Sequence, residues 1–219
     1  MTAPILLSAR HLQKQFGAVV AAQDLCIDIP VGQRVSLIGS NGAGKTTFVN
    51  MITGYLKPDK GTIHLGDTDI TPMSPRQITR LGVARSFQIP QLYPSLSVMD
   101  NMLVAMACHG NRLSVWRPAA QAEHIERGAA LLERFELIQH RHRRVSELPG
   151  GVRKLLDIAL AMTGSPKLLL LDEPTSGVSA EEKFPMMETV MRGLGDEPLT
   201  ALFVEHDMDI VRRHADRII

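Results

Sequence analysis

The chain has 219 residues and a formal net charge of +1, room for one large domain or a core with a smaller inserted one. A hydrophobic share of 44% suffices for a packed core and argues against wholesale disorder, while the balanced charge argues against a general nucleic-acid binder. No apolar run reaches the roughly 20 residues of a membrane helix, and Met1-Thr2-Ala3-Pro4-Ile5 lacks a signal peptide's basic flank, so the expectation is a soluble, cytoplasmic chain that meets a membrane only through partners.

Taken in chain order, Ile5 to Ile29 alternates short apolar and polar residues, with Leu25, Ile27 and Ile29 set against Cys26, Asp28 and Pro30, which predicts antiparallel strands. Val35 to Gly39 predicts a short buried strand. A glycine-rich turn follows, then a helix from about Lys45 to Thr53, ended by Gly54. Lys57 to Gly61 reads as a turn into a strand at Thr62 to Leu65. From Pro90 to Met162 the pattern is helical, with Leu131, Leu132, Phe135 and Ile138 at helical spacing. The basic run His140-Arg141-His142-Arg143-Arg144 reads as a solvated loop. Leu168 to Leu171 and Thr200 to Val204 are short enough for strands inside a parallel sheet, and Ile210 to Ala215 predicts a last helix. Cys26 and Cys108, set among small and apolar residues without metal or redox spacing, are expected as buried free thiols. A β-rich start, a strand–loop–helix core and a helical insertion predict an α/β fold.

Gly39-Ser40-Asn41-Gly42-Ala43-Gly44-Lys45-Thr46 fits G-x-x-x-x-G-K-[ST] after a predicted strand and before a predicted helix. Glycines let backbone N–H groups face phosphate oxygens, the helix N-terminus adds its positive end, and Lys45 adds a point charge. The Thr46 hydroxyl suits Mg²⁺. Downstream, Leu168-Leu169-Leu170-Leu171-Asp172-Glu173 ends a hydrophobic strand in two carboxylates. That places them at the carboxyl end of a sheet, where nucleotides bind in such folds. Asp172 is suited to hold Mg²⁺ and Glu173 to take a proton from an attacking water. By itself such a run is an ordinary strand end; the phosphate loop upstream gives it chemistry.

The order of these segments resembles the ABC-type ATPases across nearly the whole chain. Gly39–Thr46 resembles their Walker A and Leu168–Asp172 their Walker B. Arg85-Ser86-Phe87-Gln88 is similar to their Q-loop, Ser176-Gly177-Val178-Ser179 to their D-loop, and Phe16 to their adenine-stacking aromatic. Asn41 to Gly54, Ser97 to Ala105 and Val204-Glu205-His206-Asp207-Met208 resemble the branch that imports branched-chain amino acids, with relatives for urea and related solutes. The resemblance implies a P-loop NTPase core with an N-terminal antiparallel β subdomain and an inserted helical subdomain. It is read as a single cassette over 1–219, the core at 1–89 and 164–219 and the helical subdomain at 90–163. It also implies ATP and Mg²⁺. The nucleotide would be held by Phe16, Gly39, Ser40, Asn41, Gly42, Ala43, Gly44, Lys45, Thr46, Thr47 and Asp172, and the metal by Thr46, Gln88 and Asp172. Glu173, His206 and Gln88 would be catalytic, His206 touching the γ-phosphate and Gln88 sensing metal and water. The implied partners are integral membrane permease subunits, a second ATP-binding subunit and, indirectly, an extracellular or periplasmic solute-binding protein. The implied place is the inner face of the cell membrane.

Two departures matter. Where the family has L-S-G-G-Q, this chain has Leu148-Pro149-Gly150-Gly151-Val152. Proline is comfortable in a first helical turn, but it has neither hydroxyl nor N–H for a phosphate on the opposite subunit. The segment at 176–179 ends in Ser179 where Asp is commoner. The chain stops at Arg217-Ile218-Ile219, which reads as the start of a strand that relatives complete. Beside an importer motor, working as a heterodimer or a homodimer, two readings stay open: a nucleotide-binding clamp that hardly hydrolyses, and a soluble ABC-type ATPase.

Overall fold

In the computed structural model, which describes residues 3–40, 42–109, 122–195 and 199–219, the chain forms two compact units. One comprises Met1–Val83, Lys167–Asp172 and Pro198–Ile219; the other comprises Ala84–Pro166 and Glu173–Glu197.

The first unit holds two sheets. Strands β1 (Ile5–Phe16), β2 (Val19–Pro30), β4 (Lys60–Leu65) and β5 (Thr68–Asp69) form an antiparallel sheet in the order β2-β1-β4-β5. Alternation places Leu7, Ala9, Ile27, Ile29, Ile63 and Leu65 inward. The alternation breaks between Ala9 and Leu12, both fully buried, because the β1–β2 register shifts there. At the shift His11 and Asp24 adopt φ of 51° and 53°. Gly61 makes room for the irregularity: at φ +91°, a Cβ on it would stand 2.4 Å from the Arg10 carbonyl oxygen. Cys26 lies on the outward side of β2 and is exposed, as is Cys108, which corrects the expectation of buried thiols. The period-two pattern turns Cys26 away from the core that Ile27 faces, and its sulfur takes the His11 N–H at 3.3 Å.

The second sheet is parallel, with β3 (Arg34–Leu37), β7 (Leu168–Asp172), β8 (Thr200–Val204) and β9 (Arg217–Ile218) in the order β7-β8-β3-β9. Every residue of β7 and β8 is buried, the mark of a strand covered on both faces. Helix α1 (Lys45–Ile52) follows β3 and sends Phe48, Val49, Met51 and Ile52 into the core. It ends at Gly54 (φ +75°), whose N–H reaches the Met51 carbonyl at 3.2 Å. Helix α2 (Pro75–Arg80) buries Ile78, and α7 (Met208–His214) buries Ile210 and Val211. Strand β6 (Val83–Ser86) then carries the chain into the second unit.

That unit is helical: α3 (Val98–His109), α4 (Ala122–Arg134), α5 (Gly150–Met162) and α6 (Ala180–Leu194) surround Met102, Leu132, Phe135, Leu156, Met187 and Val190. The side chains of Arg141 to Arg144 are exposed, as a solvated loop requires. The backbone of that loop has a second role: the carbonyls of Arg143 and Arg141 accept the Val98 and Met99 N–H groups at 3.0 Å each. These are orphan donors of the first turn of α3. Among the described residues no helix is long and apolar enough to cross a membrane.

Candidate nucleotide site

Register gathers the candidate residues of the first unit. Leu37 of β3 and Asp172 of β7 both pair with Val204 of β8, so three strand ends share one carboxyl edge. From that edge emerge the loop at 39–44, Asp172 itself, and Glu205-His206. Ligands in parallel sheets gather at this edge.

In the loop, Ala43 N–H bonds the Ser40 carbonyl at 3.1 Å and Phe48 N–H bonds Gly44 at 2.8 Å. Gly42 and Gly44 have φ of 83° and 87°. Gly44 is also sterically required, since a Cβ there would sit 2.1 Å from the Ala21 carbonyl oxygen. Lys45 is only 9% exposed, and its ammonium donates to the carbonyls of Gly39 at 2.6 Å and Ser40 at 2.9 Å. Helix α1 opens on no side-chain cap and no acidic residue in its first turn. Its first N–H groups and the buried ammonium make a donor set that fits phosphate oxygens. Ser40, Gly42, Ala43 and Thr46 are exposed and Thr47 half-buried; Asn41 lies outside the described residues.

Asp172 is 6% exposed at the end of β7. With the Thr46 hydroxyl it offers hard oxygen donors, the kind that Mg²⁺ takes beside a nucleotide's own phosphates. His206 is exposed; its N–H bonds the carboxylate of the buried Glu205 at 3.1 Å. Phe16 closes β1 with 49% of its surface exposed, and the Lys14 ammonium lies 5.6 Å from its ring centroid.

The helical unit carries a cluster of its own. Gln88 Nε2 donates to Glu173 Oε2 at 2.7 Å. The two residues are 85 positions apart in sequence, so this pairing is a product of the fold. Glu173 has φ +51°, a left-handed conformation that costs a non-glycine residue about 1–2 kcal/mol. Such outliers gather at functional sites. The Lys154 ammonium meets this strained turn, donating to the Glu173 carbonyl at 3.1 Å and to Ser176 Oγ at 2.7 Å. Asp157 accepts from Ser86 Oγ at 2.8 Å and from the Phe87 and Gln91 N–H groups at 2.9 and 3.1 Å. Burial pushes its carboxyl above the ordinary range, against the pull of these donors and of Lys154. The sequence reading passed over both residues. Their signal was two charges three apart, Lys154 just before and Asp157 within the apolar stretch Leu155 to Ala159.

Pro149 is the N-cap of α5 at φ −56°, ψ 156°, one residue before the helix rather than inside its first turn. Gly150 and Gly151 open the helix, with free space where their side chains would be. Ser179 is likewise an N-cap, of α6, its hydroxyl 2.8 Å from Glu182. Serine and aspartate both serve at that position, which gives this departure a benign structural reason.

Residues 22–176 match the family described as ABC transporter. The chain belongs to the ABC transporter family. As an ABC cassette it is an ATPase subunit. It is 37% identical over 220 residues to the high-affinity branched-chain amino acid transport ATP-binding protein LivG of Escherichia coli (strain K12), across 97% of this chain and 86% of that protein. Against the corresponding protein BraF of Pseudomonas aeruginosa it is 32% identical over 226 residues, across 100% of this chain and 88% of that one. A nucleotide-free ATP-binding cassette from an ABC transporter superposes on this cassette with a TM-score of 0.85 and 31% identity, over 98% of this chain and 86% of its own. The ADP conformation of the cassette MJ1267 gives the same values.

Proposed function

We propose that this cassette binds and hydrolyses ATP, with Mg²⁺, to drive an importer of branched-chain amino acids or a related small polar solute. The carrying observation is the convergence of the phosphate loop, Asp172 and His206 on one sheet edge, in a chain 37% identical to a branched-chain amino acid transport ATP-binding protein. The reading takes the 219 residues as one cassette, with residues 90–163 as its helical subdomain.

Lys45 and the first turn of α1 hold the phosphates, and the Phe16 face stacks on the base. Thr46, Asp172 and Gln88 would supply oxygen ligands to the metal. Glu173 takes the proton of the attacking water, Gln88 orients that water, and His206 donates to the γ-phosphate. When bound, such a metal would neutralise charge among the phosphates. Partners in this reading are membrane permease subunits, which hold the cassette at the inner face of the membrane, and a second ATP-binding subunit.

The test of the phosphate loop is a nucleotide titration of Lys45→Ala. Loss of the cation facing the phosphates should nearly abolish ATP binding, and unchanged affinity would remove the assignment. Co-purification with the permease, followed by a solute screen of the extracellular component, tests the solute. Pro149 and Val152 favour one second reading, a clamp that turns over slowly, and steady-state ATPase measurement of the assembled complex separates the two.

A further inference from the structure

Lys154 and Asp157 lie three residues apart on α5, hence on one helical face, among the buried Leu156, Ile158 and Ala159. Each anchors a different strand of chain within the helical unit. Asp157, 6% exposed, takes three donors from Ser86, Phe87 and Gln91. These residues bracket Gln88 on both sides. Lys154 takes the carbonyl of Glu173 and the hydroxyl of Ser176, holding the left-handed turn that aims the Glu173 side chain. The two anchored segments meet where Gln88 Nε2 touches Glu173 Oε2 at 2.7 Å.

We infer that Lys154 and Asp157 are positioning residues that set the Gln88 amide against the Glu173 carboxylate and make the helix beginning at Gly150 carry that pair. The inference rests on the reading of Gln88 and Glu173 as the groups that handle water. Packing alone has no use for a carboxylate among aliphatic side chains, because burying it is costly unless its acceptors are filled. Here they are filled by the segment that holds Gln88. From Gly150 to Asp157 the helix rises about 10 Å. A phosphate engaged at Gly150 and Gly151 therefore acts on the same rigid rod that grips the pair.

The test is a double-mutant cycle with Gln88. Asp157→Asn turns one acceptor oxygen into a donor facing N–H groups, and the loss of one charged hydrogen bond corresponds to a fall in kcat of about tenfold. The equilibrium ATP affinity should shift less than about twofold, since the phosphate loop keeps its geometry. In a Gln88→Ala background the same substitution should cost no more than about a further twofold, because its route of action has gone. Independently of turnover, amide exchange at Phe87 and Gln91 should accelerate about tenfold while Leu156 and Ile158 keep their protection. An equal tenfold loss in both backgrounds overturns the positioning role and leaves the site reading intact. Wild-type turnover in Gln88→Ala overturns both. If Asp157→Asn does not fold, Ser86→Ala removes one donor and keeps the carboxylate. A smaller loss of kcat, absent in the Gln88→Ala background, supports the inference, and no loss overturns it.

Discussion

Glu173 occupies a backbone conformation that only surrounding structure can hold, with the Lys154 ammonium on its carbonyl and the Gln88 amide on its carboxylate. Glutamine at 173 keeps both partners, because its amide oxygen still accepts from Gln88 and its carbonyl is unchanged. What it loses is basicity. Glu173→Gln should therefore bind ATP as the wild type does and turn over about 10²–10⁴ times more slowly, the share of a positioned general base. Equal turnover in a single-turnover assay would remove Glu173 from that role. At this scale the sequence was legible wherever chemistry demands a fixed residue type at fixed spacing, as in Gly39–Thr46 and Asp172-Glu173. It was silent on Lys154 and Asp157, whose partners lie 19 to 71 positions away. It misled at Cys26, where apolar neighbours suggested burial and the strand pleat decided otherwise.

Elements were legible where one period dominated. The apolar runs of β7 and β8 gave buried parallel strands, and the helical spacing of Leu131, Leu132 and Phe135 gave a core face in the α4 region. The β1–β2 irregularity was not legible, because histidine and aspartate, though enriched at positive φ, still adopt negative φ far more often. Contacts between helices were equally hidden. Gly193 in α6 is an example: a Cβ there would stand 2.5 Å from the ring of Phe135, which is fully buried and has no room to retreat. Two effects compete in Gly193→Ala. Helix propensity favours alanine by about 1 kcal/mol, and overpacking a filled core costs about 1–3 kcal/mol. With three adjacent atoms of one ring edge at 2.5 to 2.7 Å, overpacking should win. Denaturant unfolding should show a lower midpoint with an unchanged slope. A higher midpoint would mean that Phe135 yields.

At the scale of the whole molecule, the departure at Pro149 bears on how this cassette would close on ATP with the proposed second ATP-binding subunit. Pro149 is the N-cap of α5 and is exposed, with the Gly150 and Gly151 backbone open beside it. A serine there would do two separable things. It would cap its own helix, a gain of about 0.5–2 kcal/mol in the monomer whether or not nucleotide is present. It would also offer a hydroxyl and an N–H to the nucleotide on the opposite subunit, and hydrogen bonds to charged groups are worth about 1.5–3 kcal/mol each. Gly150 and Gly151 still offer backbone N–H groups, so in the proposed dimer proline would weaken closure without abolishing it. This is the physical basis for proposing a heterodimer, in which a second ATPase with an intact signature completes this chain's own site. In a Glu173→Gln background at saturating ATP, Pro149→Ser should tighten dimerisation of the chain with itself by about tenfold or more. Without ATP the substitution should raise thermal stability and leave self-association unchanged, since only the cap is then improved. Equal dimerisation constants in ATP would make the motif departure neutral and take away the reason for an unlike partner.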